Sequence, residues 1–296
     1  MLMELIQLIT LFSMAQSLPA PTDPLHPGSK FYDHSVAQSK VTCLQRKVDV
    51  FQPASTGPEK FPVVVFGHGQ ALDVEHYRLT LEHLAKKGVV VLFPTYDTGF
   101  FDQDWNRMGS DYVKQVDCAL KAIANADTSA VIFSGHSKGA YVASLAAGIW
   151  DATSTSYHLG ANVFFAPAGS DTKLLKKYAS HTATTVIFSD ADSIVDKSIS
   201  ENIFLQAQSQ FKQLITLKSY NNPAIKADHF WILTKSSFAG GKDGDNALHH
   251  YGAWKWLVGA AWDVRDGGKN LQPYLYGDLA TDKGVNGLKD DLLRNN

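Results

Sequence analysis

Short runs of apolar, mainly β-branched residues recur along the chain between positions 63 and 220. These runs carry few charges and have the length of strands that are buried on both faces of a parallel sheet. They lie at Val63–Phe66, Val89–Phe93, Ala130–Phe133, Val163–Phe165, Val186–Phe188 and Leu214–Tyr220. Upstream of them, Val48 and Val50 alternate with charged residues, which predicts one more strand, at an antiparallel edge and exposed on one side.

Between these runs, apolar residues recur at the three- and four-residue spacing of amphipathic helices. The spacing predicts helices over residues 74–85, 113–123, 141–149 and 203–211, and a final helix over about 246–264. Ser110-Asp111 is a plausible N-terminal cap for the second helix, and Gly88 can end the first in a left-handed conformation.

The alternation of strand and helix predicts βαβ units, and therefore a single α/β domain whose mainly parallel sheet has helices on both faces. Between the strand that ends at Phe165 and the one that starts at Val186, there is room for one short helix, over residues 172–178. We therefore expect no cap domain and an open site. In sheets of this kind, reacting groups lie at the carboxyl ends of the strands.

The composition narrows the class of protein further. Of the 296 residues, 45% are hydrophobic, which fits a globular protein with a sizeable core. The net charge of −2, without any basic run, gives no reason to expect a nucleic-acid partner.

The N-terminal segment has features of an export signal. Residues 5–15 are mostly apolar, a length typical of a signal-peptide core and too short to span a bilayer. Glu4 lies where a signal peptide usually carries positive charge, so an apolar N-terminal helix is the alternative. We expect residues 1–17 to be a signal peptide, the protein to be secreted into the extracellular space, and no stable membrane span.

A proline-rich segment over residues 18–40 follows and predicts a linker or pro-segment. We expect the α/β domain over residues 41–296, with a C-terminal extension from about residue 265. The chain has two cysteines, too few for a multi-thiolate metal site. In a secreted protein Cys43 and Cys118 could form a disulfide, but their positions in the sequence do not show whether they approach each other.

A serine motif directly follows the strand at 130–133. The sequence Gly135-His136-Ser137-Lys138-Gly139 has the pattern G-x-S-x-G and leads straight into a predicted helix. In this setting the glycines allow a tight, strained turn that exposes the serine, and the helix N-terminus stabilises developing negative charge. Ser137 is therefore the candidate nucleophile.

A serine nucleophile needs a base and an acid, which at this type of turn follow it in the order acid, then histidine. His229 lies in a loop just after a predicted strand and is the candidate base. His249 and His250, at the start of the last helix, are the alternatives. The acid should follow the strand at 186–188, where spacing alone does not decide between three aspartates: Asp190, Asp192 and Asp196.

The strand at 63–66 ends in Gly67-His68-Gly69-Gln70. Such a glycine-rich loop lets a backbone N–H approach the reacting carbonyl, so we expect the N–H groups of Gln70 and Lys138 to form an oxyanion hole. His68 and His136 flank this site, and we assign them structural roles.

With these motifs the chain resembles the α/β-hydrolase-fold serine esterases over about residues 43–264. Within them it is similar to the lidless branch of cutinases, polyester hydrolases, chlorophyllases and dienelactone-hydrolase-like proteins. The resemblance implies that Asp192 is the acid, because cutinase-like members carry an Asp-(Ser/Thr)-Ile segment that matches residues 192–194, and a His-Phe pair that matches His229-Phe230. Lys138 departs from the small or apolar residue of cutinases but agrees with the basic residue of chlorophyllases.

The function predicted from these residues is a carboxylic-ester hydrolase that works through an acyl-enzyme and needs no metal or organic cofactor. Its substrate would be a hydrophobic or bulky ester, whether a small molecule, a lipid or a polymer. Five aromatic side chains could line the cleft or could pack inward as loop anchors: Phe100, Phe101, Trp105, Phe230 and Trp231. An amidase or thioesterase would use the same catalytic groups. The alternative from another class is a catalytically silent or slow α/β-hydrolase-fold binding module.

Overall fold

The computed structural model describes residues 19–97, 99, 101–151, 156–170, 172–175, 183–209, 211–221, 224–267 and 293–295. The expected signal peptide, Phe100 and nearly all of the expected C-terminal extension lie outside these residues.

A mainly parallel sheet forms the centre of the described chain. Its strands are β1 (Val36–Cys43), β2 (Arg46–Pro53), β3 (Phe61–Gly67), β4 (Val90–Pro94), β5 (Ala126–His136), β6 (Leu159–Phe165), β7 (Ala183–Ser189) and β8 (Phe211–Leu217). Their order is β1-β2-β4-β3-β5-β6-β7-β8. The pairs from β4 to β8 are parallel, whereas β1 and β2 are antiparallel to their neighbours.

Two smaller elements complete the strands of the described chain. A hairpin pairs β9 (Tyr220–Asn221) with β10 (Ala224–Ile225). A short strand, β11 (Leu293–Asn295), adds to the sheet antiparallel to β8.

Helices cover both faces of the sheet. They are α1 (Val74–Lys86), α2 (Trp105–Ala122), α3 (Lys138–Asp151), α4 (Lys197–Gln206) and α5 (Trp254–Arg265), with a π-helical turn at His249–Ala253 before α5 and a 3-10 turn at Thr172–Leu174. Apolar residues of α1 and α5 pack on one face of the sheet, and those of α2, α3 and α4 on the other. Residues 166–182 connect β6 to β7 without room for a cap domain. The predicted α/β architecture is therefore confirmed.

The first two strands differ from the prediction. The run at Val48 and Val50 forms β2, which lies inside the sheet between β1 and β4, so the expectation of an edge strand there was wrong. The edge strand next to β2 is β1. Its residues are mostly exposed or half-buried, so the sequence contains no apolar run at this strand.

Three helices begin earlier than the periodicity indicated, α3 by only one turn and α2 and α4 by more. Helix α2 starts at Trp105, because the side chain of Asp104 caps it by accepting from the N–H of Arg107 at 3.1 Å. Helix α4 covers 197–206 instead of the predicted 203–211, since Asp196 caps its start and Phe211 already belongs to β8.

The proline-rich segment lies against the domain from residue 19 onward, and β1 begins within the predicted linker, at Val36. Lys87 Nζ lies 3.3 Å from the carbonyl of Pro24 and 2.8 Å from Ser29 Oγ, and burial lowers the pKa of Lys87 to about 8. Gly28 packs so closely on His250 that a Cβ would lie 1.7 Å from the His250 carbonyl oxygen. This part of the segment is therefore a packed element of the domain.

A disulfide joins Cys43, the last residue of β1, to Cys118 in α2. It closes a loop across a sequence separation of 75 residues and ties the edge of the sheet to a helix on its face. Among the helices that the structure describes, none is long and apolar enough to cross a membrane.

Candidate active site

The candidate nucleophile lies at the sharp turn between β5 and α3. Ser137 has a φ of 56°, in the left-handed region that a residue with a side chain rarely adopts. Its N–H donates to the carbonyl of Phe165, the last residue of β6, at 2.9 Å. The strained turn therefore holds Ser137 at the carboxyl ends of two parallel strands.

The glycines of the motif are required by close backbone contacts. A Cβ on Gly135 would lie 2.6 Å from the carbonyl carbon of Gly139, and one on Gly139 would lie 2.2 Å from the carbonyl carbon of Gly67. Real Cβ contacts do not come this close, so only glycine lets β3, β5 and the start of α3 meet here.

His229 bridges Ser137 and Asp192. Its Nε2 lies 2.9 Å from Ser137 Oγ, and its Nδ1 lies 2.7 Å from Asp192 Oδ2. Because an ionised carboxylate only accepts, Nδ1 carries the proton and Nε2 accepts from the serine hydroxyl. The three side chains thus form one hydrogen-bonded chain, and the side chain of Asp192 is fully buried.

The carboxylate of Asp192 is stabilised in its charged form. Burial alone would raise its pKa, but hydrogen bonds from His229 and from the N–H groups of Ile194 and Val195 outweigh this effect and lower the pKa below its ordinary value. An ionised partner for the His229 ring is therefore maintained at neutral pH.

The rival aspartates have other partners. Asp190 accepts from the N–H and hydroxyl of Ser219, at 2.9 and 2.8 Å, and so holds the loop after β8. Asp196 caps α4 through the N–H of Ser198.

The rival histidines are both buried in the core, at the π-helical turn before α5. The Nε2 of His250 lies 2.7 Å from Asp245, a residue outside the Ser137–His229–Asp192 chain.

Two backbone N–H groups at the site have defined orientations. The carbonyl of Gly69 accepts from His68 Nδ1 at 2.9 Å and from the N–H of Leu72 at 3.2 Å. In a trans peptide the next N–H points the opposite way, so these bonds set the direction of the Gln70 N–H. The Lys138 N–H belongs to the first turn of α3, where a helix offers no acceptor of its own.

Lys138 also carries a buried charge beside the nucleophile. Its Nζ lies 3.3 Å from Asp97 Oδ2, and the two side chains are only 3% and 13% exposed. The ammonium group lies 6.0 Å from the centre of the Trp105 ring. Lys138 therefore combines a backbone donor with a side chain held by its own counter-ion.

Four of the five aromatic residues predicted to line the site belong to the described part of the chain, and their side chains have different surroundings. Trp105 packs edge-on against Tyr141 of α3 and donates to Ser170 Oγ at 3.1 Å. The Phe230 ring meets the His229 ring edge-on, with centroids 5.1 Å apart.

Two others are placed at opposite extremes of exposure. The side chain of Phe101 is 86% exposed. Trp231 is buried and packs on Phe165 in the core, so the structure does not place it at the surface of the site.

One residue of the site had no functional assignment from the sequence. His136, directly before the nucleophile, is fully buried, and its Nε2 lies 2.9 Å from the carbonyl oxygen of His229. The only signal for it was its place inside the motif.

Among the described residues there is no group of three or more His, Cys, Asp and Glu side chains that could hold a metal ion.

The fold and this site define a protein of the α/β-hydrolase type, as the resemblance implied. The model of the chlorophyllase family matches residues 28–174, slightly less than half of the chain. The matched range contains Ser137 and the loop at 67–70, and it ends before Asp192 and His229. Similarity to this family indicates a hydrolase. No curated protein matches the chain.

Proposed function

We propose that the protein is a serine esterase that hydrolyses carboxylic esters through an acyl-enzyme. The observation that carries the proposal is the hydrogen-bonded chain from Ser137 through His229 to Asp192, with distances of 2.9 and 2.7 Å. A nucleophile, a base and an orienting acid in this geometry are the parts that acyl transfer requires.

In the acylation step, Ser137 Oγ attacks the ester carbonyl carbon while its proton moves to Nε2 of His229. Asp192 stabilises the imidazolium that forms. The tetrahedral intermediate then collapses, the bond to the alcohol oxygen breaks, and the imidazolium returns its proton to the leaving alcohol. The products of this half-reaction are a free alcohol and an acyl group on Ser137.

In the deacylation step, His229 takes a proton from water, and the hydroxide attacks the acyl carbon. Collapse of the second intermediate releases the carboxylic acid, and Ser137 regains the proton from His229. In both steps the N–H groups of Gln70 and Lys138 donate to the oxyanion. The fixed orientation of the Gly69–Gln70 peptide and the helix start at Lys138 support this assignment.

The substrate that we propose is an ester with a hydrophobic or bulky group, as in a chlorophyllase-like, cutinase-like or lipase-like reaction. The connection between β6 and β7 is too short to hold a cap domain, which favours large substrates. Trp105 and Phe230 place aromatic surface next to Lys138 and His229. The family match supports the same class of reaction.

We also propose that the protein is secreted. The apolar stretch at residues 5–15 supports export, and the disulfide between Cys43 and Cys118 fits an oxidising compartment. Expression with residues 1–17 in a secreting host tests this, since mature protein that begins near residue 18 in the medium is expected. Retention of the full-length chain inside the cells would contradict it.

The test of the esterase function is the hydrolysis of p-nitrophenyl esters over a series of acyl chain lengths. Turnover should be lost in Ser137→Ala and His229→Ala. Ser144→Ala is a matched control, because Ser144 is also a buried serine, in the middle of α3, and its hydroxyl donates to the Tyr141 carbonyl in its own helix. A fluorophosphonate should label the wild type at Ser137. Folded protein that shows neither turnover nor labelling would overturn the proposal in favour of a binding module.

A further inference from the structure

A hydrogen-bonded chain of buried groups connects the loop after β3 to the backbone of His229. The N–H of Gly69 lies 3.0 Å from Tyr77 Oη, and this oxygen lies 2.8 Å from His136 Nδ1. The other ring nitrogen, His136 Nε2, lies 2.9 Å from the carbonyl oxygen of His229. Tyr77 and His136 are both fully buried.

Only one arrangement of protons satisfies every member of this chain. The His229 carbonyl can only accept, so His136 Nε2 carries a proton. Burial lowers the pKa of His136 well below its ordinary value, so the ring is neutral and Nδ1 accepts from the Tyr77 hydroxyl. The oxygen of Tyr77 in turn accepts from Gly69, and all the donors therefore point the same way.

The two ends of this chain are parts of the proposed catalytic machinery. At one end it holds Gly69, whose carbonyl belongs to the peptide that carries the Gln70 N–H. At the other end it holds the backbone of His229, while Asp192 holds only the ring of that residue. The neutral ring of His136, 4.8 Å from the His229 ring, also adds no positive charge where the imidazolium forms.

We propose that Tyr77 and His136 are positioning residues. They hold the loop that carries Gly69 and Gln70 in a fixed position relative to the base, His229. The inference rests on the proposed esterase function and deepens it, because it assigns a role to two side chains outside the hydrogen-bonded chain of Ser137, His229 and Asp192. Removing a link should displace the base or the loop by a fraction of an ångström. Such a displacement lowers kcat by about tenfold or more and leaves KM within about twofold.

The first test compares two tyrosine variants. Tyr77→Phe removes the hydroxyl that joins Gly69 to His136. Tyr112→Phe is the matched control, because Tyr112 is also fully buried and its hydroxyl is bonded to the carbonyls of Val65 and Ser134, at 2.9 and 3.0 Å. We expect kcat to fall in Tyr77→Phe alone. The free energy of unfolding in urea should fall by a similar amount in both variants. Equal kcat values in the two variants would overturn the proposal.

The second test separates the two nitrogens of His136. In His136→Gln the side-chain amide can reach the position of Nε2 and donate to the His229 carbonyl, whereas in His136→Asn it reaches only the position of Nδ1. His136→Gln therefore keeps the bond to the base and breaks the link to Tyr77, and His136→Asn does the reverse. Since each variant breaks one link, we expect kcat to fall by about tenfold in both, as in Tyr77→Phe, with KM within about twofold. If a buried polar side chain of any kind were sufficient at this position, kcat would stay near the wild-type value in both variants, and that result would contradict the assignment.

An independent measurement reads the proton directly. In nitrogen NMR spectra of the wild type, His136 should be neutral with the proton on Nε2, and this tautomer should persist in Tyr77→Phe, where the His229 carbonyl still accepts from Nε2. A proton on Nδ1 in the wild type would overturn the proposal whether or not esters are hydrolysed. If the wild type does not turn over any ester, the proposed function fails and the positioning role fails with it. If the wild type is active but Tyr77→Phe behaves like Tyr112→Phe, only the positioning role fails.

Discussion

Gly139, in the first turn of α3, lies directly against Gly67, the last residue of β3. A Cβ on Gly139 would lie 2.2 Å from both the carbonyl carbon and the carbonyl oxygen of Gly67. This contact brings the loop that carries Gln70 next to the turn that carries Ser137. The proposed oxyanion hole therefore depends on two backbones that touch because neither residue has a side chain.

Gly139→Ala should accordingly destabilise the fold and abolish ester hydrolysis. The clash is with backbone atoms, which cannot turn aside, so we expect a loss of about 3 kcal/mol or more in the free energy of unfolding. Gly252→Ala is the control, since a Cβ there meets only ordinary contacts with Trp256 and Trp231 at 3.4 and 3.5 Å. Urea unfolding and p-nitrophenyl ester turnover measure both effects, and an active, stable Gly139→Ala would contradict the close contact.

Asp192→Asn should lower kcat by roughly 10³–10⁴-fold with little change in fold. The neutral amide can donate to Nδ1 of His229, which would place the ring proton on Nε2, where it cannot accept from Ser137. Asp196→Asn is the matched control, because asparagine caps a helix about as well as aspartate and Asp196 faces only the start of α4. Equal turnover in the two variants would remove Asp192 from the mechanism.

The strands that hold the site could be predicted because they are buried on both faces. All residues of β3 and β4, and nearly all of β7, are buried, and such strands have continuous apolar runs in the sequence. Strand β1 could not be predicted in this way, because most of its side chains are exposed or half-buried at the edge of the sheet. Strand β1 was therefore not predicted, because it buries little apolar surface.

The residues of the site also differ in whether the sequence could predict them. Ser137 and His229 follow from local patterns, a motif at the end of a strand and a histidine in a loop after another. Asp192 could not be separated from its neighbours by spacing, since all three aspartates follow β7 and differ only in their tertiary partners. The contact between Tyr77 and His136 spans 59 residues of sequence and depends on how α1 packs beside β5. No periodicity in the sequence encodes such a contact.

Removing the disulfide should cost stability but not catalysis. The bond between Cys43 and Cys118 closes a loop of 75 residues in the unfolded chain, for which the loop-entropy relation gives about 4 kcal/mol of stabilisation. The Cys43→Ser/Cys118→Ser double variant should therefore unfold at lower urea concentration. At a temperature where it remains folded, its kcat on a short p-nitrophenyl ester should match that of the wild type. An unchanged urea midpoint would show that the bond does not form or does not constrain the unfolded chain.

Stability should fall as the pH is lowered from 7 to 5, because several buried histidines remain neutral in the folded protein. Burial lowers the pKa of His68, of His83 and of His136, and it lowers the pKa of His249 to about 4. In the unfolded chain a histidine titrates near its ordinary pKa of about 6.5. Below that pH the unfolded state takes up protons that the folded state does not. Each such histidine adds at most about 1.4 kcal/mol per pH unit to the slope of the free energy of unfolding against pH.

The contribution of a single histidine to this pH dependence is best measured at His83, because its hydrogen-bond partners are not proposed catalytic residues. Its Nε2 donates to the carbonyl of Pro27 at 2.9 Å, and the amide of His83→Gln can keep that bond while removing the titration. The free energy of unfolding in urea should therefore depend less steeply on pH in this variant between pH 6 and 5. His158→Gln is the control, since His158 is exposed and its ring remains in contact with water when the chain folds. Equal pH slopes in wild type and His83→Gln would show that His83 takes up its proton as readily in the folded protein as in the unfolded chain.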